Sequence, residues 1–181
     1  MKVFVIGGKA KSGKSTLANF IKEELKGKGY NPCIMHITEP LYLYAEKYFD
    51  WNGKEETKPR EFLQKVGIEI IKEKLGKKDF LINRCFEDIE ILSEFFDTFI
   101  ICDARLIDEF MAFKSKYNDS ITIKIERDNL VNNLSEEEKN HITEIEIDNF
   151  NDFDYIIKNT SLDKLELEAK KIVDKSLDEI I

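Results

Sequence analysis

Eight consecutive residues near the start of the chain have types and spacing suited to holding phosphate. Gly8-Lys9-Ala10-Lys11-Ser12-Gly13-Lys14-Ser15 fits G-x-x-x-x-G-K-[ST], and Thr16 follows it. Glycines at both ends let the backbone turn its N–H groups inward, and a helix starting at Lys14 adds partial positive charge at the same point. Lys14 suits the β- and γ-phosphates of a nucleoside triphosphate, and the Ser15 hydroxyl suits Mg²⁺. Gly8, Lys11, Ser12, Gly13, Lys14, Ser15 and Thr16 are therefore expected to bind ATP. A glycine-rich turn that only packs is the plainer alternative, but the match directly follows an apolar strand and opens an amphipathic helix. No N-K-x-D for reading guanine occurs, and Asp103 is followed by Ala104 where a water-activating Glu is usual in motor-like ATPases. Transfer to an acceptor other than water is the better expectation.

A second set of residues suits that acceptor. Phe99–Asp103 is an apolar strand ending in a carboxylate, which in a parallel sheet falls at the ligand-binding edge. Asp103 is expected to hold the Mg²⁺ shell; capping the next helix is its plainer role. Only four of the 28 basic residues are arginine: Arg60, Arg84, Arg105 and Arg127. Where charge alone suffices this chain uses lysine, so arginine is expected where a planar two-point grip on phosphate, or stacking on a base, matters. Surface placement is the alternative for each. Glu39, before Pro40, stands where a base for a sugar hydroxyl could lie. His36 is read as a core histidine inside a strand, and His141 with Glu144 as a hinge or lid hydrogen-bonding pair.

These groups need a frame. Lys2–Ile6, Cys33–Ile37, Thr98–Cys102, Ile121–Ile125 and Phe153–Ile157 read as strands. Helical stripes follow from Lys14, from Leu41 to Phe49 after Pro40, from Pro59 with Phe62, Val66 and Ile70 on one face, over 78–96 and 107–117, and from Leu162. Alternating strands and helices predict one α/β domain over 1–181, a doubly wound five-stranded parallel sheet in three layers. Residues 40–96 form its helical acceptor-binding region and the polar stretch 127–147 a lid.

Composition limits the partners. The 181 residues carry a net charge of −8, with 35% charged and 42% hydrophobic residues. An acidic chain lacks the general field that nucleic acid or an anionic membrane needs. No apolar run approaches the roughly 18 residues of a spanning helix, and MKVFVIGG is short for a signal peptide. Cys33, Cys85 and Cys102, without CxxC spacing, read as buried free thiols of a reducing compartment, hence the cytoplasm. The expected partner is a small nucleotide acceptor, and a homodimer is compatible.

The order of motifs resembles the phage and bacterial deoxynucleoside monophosphate kinase family, within the P-loop kinases. The residues that carry the resemblance are the phosphate loop, Glu39-Pro40-Leu41, the run Lys58-Pro59-Arg60-Glu61-Phe62-Leu63-Gln64-Lys65-Val66-Gly67, Cys102-Asp103-Ala104-Arg105-Leu106-Ile107-Asp108-Glu109, and His141-Ile142-Thr143-Glu144. It implies ATP on the loop and a (deoxy)nucleoside monophosphate against the central helices. Arg60, with Arg84, would hold the acceptor phosphate, Gln64 would lie near base or sugar, Arg105 would bridge donor and acceptor, and Arg127 would lie at the adenine or over the phosphates. Leu106 and Asp108 stand where the family has Phe and Asn, no arginine follows soon after Gly67, and the lid carries Glu136-Glu137-Glu138. A nucleoside kinase, a kinase of another small phosphorylated metabolite such as phosphomevalonate, and a non-catalytic nucleotide sensor are the other readings.

Overall fold

The computed structural model describes residues 1–128 and 140–178. Five strands, β1 (Lys2–Gly7), β2 (Pro32–Met35), β3 (Thr98–Ala104), β4 (Ile121–Glu126) and β5 (Tyr155–Lys158), form one sheet in the order β2-β3-β1-β4-β5. Every pairing is parallel. Their β-branched and aromatic residues alternate between two buried faces, as strands covered on both sides require. Phe4, Ile6, Ile100 and Ile123 pack on α1 (Lys14–Gly27) and on the closing helix, α7 (Leu162–Asp178), through Leu17, Ile21, Leu165 and Ile172. Val3, Val5, Phe99 and Ile101 meet α2 (Glu39–Tyr48), α4 (Phe80–Leu92) and α5 (Ile107–Lys116) through Leu41, Ile89, Phe110 and Phe113. The three-layer architecture expected from the sequence is the one observed.

Several elements differ from the sequence expectation. The helix after Pro59 is α-helical only over α3 (Arg60–Gln64) and continues as a π-helix over Lys65–Lys74. The buried stripe lies one residue on from Phe62, Val66 and Ile70, at Gly67 and Ile71, with Leu63 and Val66 packed partly against the same core. Gly67 and Ile71 are the buried members, and a Cβ on Gly67 would lie 3.2 Å from the Leu41 side chain. β2 ends at Met35, one residue before His36, so this histidine leaves the sheet at its carboxyl edge. α4 stops at Leu92, where Asn31 Nδ2 donates to the Phe95 carbonyl at 2.7 Å and ties the following turn to β2. Of the expected lid, residues 129–139 lie outside the described residues. Its remainder contains the short helix α6 (Ile142–Ile145) and a 3₁₀ turn, Glu146–Asn149.

Ile100 is fully buried in the central region of the sheet, between β2 and β1. Ile100→Ala should cost roughly 2–5 kcal/mol in urea unfolding with an unchanged denaturant slope.

Candidate active site

The loop after β1 is held in its shape by backbone geometry and by long-range tethers. Gly8 and Gly13 have φ of 151° and 110°, and Lys11 is left-handed at 61°. A Cβ on Gly8 would lie 2.4 Å from the Ile125 carbonyl oxygen, and one on Gly13 2.5 Å from Asn159 Nδ2. Both positions therefore require glycine on conformational and steric grounds. Asn159, just past β5, donates from Nδ2 to the Ser12 carbonyl at 2.8 Å. From the opposite side, Glu144 Oε2 accepts the Ala10 N–H at 2.9 Å. No side chain caps the start of α1, so its first amides keep their donor capacity toward the cleft.

Lys14 is buried and donates from Nζ to the carbonyls of Gly8 at 2.8 Å and Lys9 at 2.9 Å. Burial, and after it the Arg105 guanidinium, push its ammonium well below an ordinary lysine, against the pull of Asp103. A polyanion at this site would restore the lost stabilisation of the charge.

A cavity of about 570 Å³ opens over the loop. Lys11, Gly13, Lys14, Ser15 and Thr16 line its loop end, and Arg60, Gln64, Asp103, Arg105 and Arg127 line the remainder. Gly8 and Ser12 instead border a neighbouring cavity of about 180 Å³ against β4, with Arg127 common to both. Glu39 and Arg84 line neither cavity. Arg84 is on the exposed face of α4, its Nη2 2.9 Å from Asp88 Oδ1. Its partner on the same helix is Asp88, and it lies outside the cavity that Arg60, Arg105 and Arg127 line. The Glu39 carboxylate points outward and pairs with His36 at 3.5 Å.

His36 is not a core histidine. It lines the main cavity, with Nε2 3.2 Å from Cys102 Sγ. Burial opposes its charge, but the bonds to Cys102 and Glu39 and the nearby Asp103 outweigh that and hold its pKa above the ordinary value. The three cysteines are free thiols, Cys85 and Cys102 buried and Cys33 half-buried.

Asp103 does cap a turn, though not that of the helix following it. Its Oδ1 accepts the Ile37 N–H at 2.8 Å and its Oδ2 the Thr38 N–H at 3.1 Å and the Thr38 hydroxyl. These bonds fix the β2–α2 turn and orient the carboxylate at the cavity wall. With the Ser15 hydroxyl it would offer Mg²⁺ two hard oxygen donors, a small set of the kind that suits an ion taking waters and phosphate oxygens as well. No cluster of three or more His, Cys, Asp or Glu suited to a metal occurs among the described residues, so a cage independent of nucleotide is not what this donor set forms.

Arg105 is held from two directions. Its backbone N–H donates to Glu109 Oε2 at 2.8 Å, and its guanidinium pairs with Glu144 Oε1. Burial lowers its pKa, and the neighbouring Arg60 lowers it further, while Tyr42 and Asp103 oppose this. Two arginines thus converge on one wall. Lys58 joins them, its Nζ 3.0 Å from the Tyr42 hydroxyl and 4.7 Å from that ring's centroid. Gln64 Nε2 donates to Thr143 Oγ1 at 3.4 Å, linking α3 to α6. Lys58 and Glu109 fall within the motif runs but were given no role from the sequence, and Asn159 was not singled out at all. Glu109 also carries a local signal, as an acidic residue in the first turn of α5.

No protein-family model matches the chain, and no curated protein matches it. Among solved structures, shikimate kinase from Aquifex aeolicus superposes with a TM-score of 0.50 at 18% identity, covering 99% of this chain and 97% of that one. The APS kinase CysC of Mycobacterium tuberculosis gives 0.45 at 13% identity, covering 96% of each chain. A sugar kinase from Janibacter sp. gives 0.45 at 12%, covering 98% and 95%. The chain has the α/β fold of the P-loop kinases, a statement that rests on the first of these together with the loop geometry. No helix among the described residues is long and apolar enough to cross a membrane.

Burial raises the Glu109 carboxyl from its ordinary 4.5 to about 7, against the two backbone N–H groups it accepts from and the Lys72 ammonium. Its neutral form is the one the fold favours, so that contribution is complete below pH 4.5 and is lost as pH rises through about 7. Urea unfolding at pH 5 and pH 8 should show wild type losing roughly 2–3 kcal/mol more than Glu109→Gln over that interval. Equal pH dependence of the two proteins would mean that the carboxyl is ordinary.

Proposed function

We propose that this protein is a magnesium-dependent kinase that transfers the γ-phosphoryl group of ATP to a (deoxy)nucleoside monophosphate. One observation carries the reading: a single cavity is lined by a phosphate loop with its lysine and also by Arg60, Arg105 and Lys58. Two anions must approach each other for phosphoryl transfer, and catalysis consists mostly of placing them and offsetting their repulsion. Lys14 and the α1 amides serve the donor. Arg60 offers the acceptor phosphate a planar grip, and Arg105 lies between the two ends. Ser15 and the Asp103 carboxylate would hold Mg²⁺, which would supply further charge neutralisation. An acceptor phosphate is already anionic and needs no general base, which suits a cleft from which Glu39 points away. Leu41, Leu63, Ile68 and Leu81 give the wall an apolar portion for a base or sugar ring. The order of sequence motifs supports the nucleoside monophosphate as acceptor.

A hydroxyl acceptor is the second reading. One superposed solved structure is named a shikimate kinase, and the Glu39 carboxylate, paired with His36 beside the cleft, could take a hydroxyl proton.

ADP release measured over deoxynucleoside monophosphates, ribonucleoside monophosphates and nucleosides tests both. Lys14→Ala should lower turnover by about two orders of magnitude or more with every accepted substrate, because the charge facing the transferring group is gone. Unchanged turnover would remove the loop from the mechanism. Arg60→Lys keeps the charge but loses the two-point grip, and should lower kcat/KM for a monophosphate by about 10- to 100-fold with little change in KM for ATP. A harmless Arg60→Lys beside an inactive Glu39→Gln assigns the hydroxyl acceptor instead.

A further inference from the structure

Glu144 is buried, 5% exposed, in a helix of four residues more than a hundred positions from the loop it touches. Each of its carboxylate oxygens has a separate partner. Oε2 takes the Ala10 N–H of the phosphate loop, and Oε1 takes Nη1 of Arg105. A carboxylate buried so deeply beside a phosphate site is costly in two ways: it must be desolvated, and it repels the anions that the site receives. Packing does not require it, because a neutral amide fills the same volume and can still accept from Ala10. Its charge matters for one partner, Arg105. That guanidinium carries five donors in a rigid plane, and fixing Nη1 fixes the direction of the others.

We propose that Glu144 is a positioning residue that locks the Arg105 guanidinium to the phosphate loop, so that the donor cradle and the arginine between donor and acceptor move as one unit. This rests on the kinase reading for its effect on turnover, but not for its effect on nucleotide binding. The same short helix receives the Gln64–Thr143 hydrogen bond, so it also touches the helix that carries Arg60. The coupling thus runs from Ala10 through Glu144 to Arg105, with the acceptor helix attached one residue away.

The test is a double-mutant cycle with two readouts: calorimetric binding of a non-hydrolysable ATP analogue, and turnover with whichever acceptor wild type uses. Glu144→Gln should bind the analogue at least as well as wild type, while its turnover falls roughly 10- to 100-fold because Arg105 is no longer aimed. Arg105→Ala alone leaves the Glu144 carboxylate uncompensated beside the loop, and should weaken analogue binding by about tenfold or more. Combining the two should restore analogue binding to within about threefold of wild type, with turnover no lower than in Arg105→Ala. A purely structural salt bridge gives the opposite pattern: the double variant binds the analogue no better than Arg105→Ala, its losses add, and the proposal is overturned. Should either neutralising variant unfold, Glu144→Asp decides. It keeps the charge but is one methylene too short to span both partners, so turnover should drop about tenfold with analogue binding retained, and wild-type turnover overturns the proposal. If wild type phosphorylates none of the acceptors, the kinase reading fails by itself, and the analogue-binding arm still decides whether Glu144 acts through Arg105.

Discussion

An ammonium group buried under a loop of its own backbone sets the terms for the rest of this structure. Lys14 is removed from water, bonded to two carbonyls, and next to another cation. Such a group is unfavourable in isolation, and it persists because the loop around it is over-determined. β1 feeds the loop from the middle of the sheet, α1 leaves it with uncapped amides, Asn159 pins it from the β5 side and Glu144 from the α6 side. The cost of holding cations together without water is offset when an anion arrives, so the same arrangement that is unfavourable for charge is favourable for binding polyphosphate. Preorganisation of this kind spares the site reorganisation when the transferring group develops its charge.

The carboxylates complete the arrangement in an orderly way. Asp103 fixes the β2–α2 turn, Glu109 the backbone of Arg105, and Glu144 the side chain of Arg105. Each is spent on orienting a neighbour, and each faces a cavity in which the cations Lys14, Lys58, Arg60 and Arg127 also meet. An acidic chain thereby builds a locally cationic cleft. Net charge describes solubility and long-range fields, whereas binding follows the few charges that line the cavity.

Most of the architecture was legible from residue order. Strand and helix periods identify the five strands and the main helices, because burial on both sheet faces imposes continuous apolar runs and covering helices impose 3.6-residue stripes. The phosphate loop was legible because its shape needs glycine at fixed places. The scarcity of arginine pointed to the cleft for Arg60, Arg105 and Arg127, and it failed for Arg84, which pairs along its own helix with Asp88. Periodicity could not announce the π-helix over Lys65–Lys74, since the apolar residues there satisfy either winding until Gly67 and Leu41 are brought together. His36 was misread because β2 stops at Met35, two residues short of the expected Ile37. Glu144 was read only as half of a pair with His141, and Asn159 was silent, because their roles come from tertiary closure: nothing in the local sequence of either says that it will meet the loop near residue 10.

The separation between what is local and what is long-range has a mechanical consequence. The donor cradle is a local object, built from eight consecutive residues and the strand and helix that flank them. The rest of the cavity wall comes from α2, from α3 with its π-helical extension, and from the turn after β3, elements brought together by packing. In the proposed reaction their relative placement matters, since misplacement of about an ångström is costly in rate. Contacts that cross between them therefore carry more weight than their number indicates. Arg105, paired with Glu144 and near Arg60, is the crossing from the β3 turn, and Gln64 with Thr143 is the crossing from α3. Both end on the four residues of α6. A helix too short to be stable alone is here the piece that ties the two halves of the cleft together, held in place by the partners it aligns.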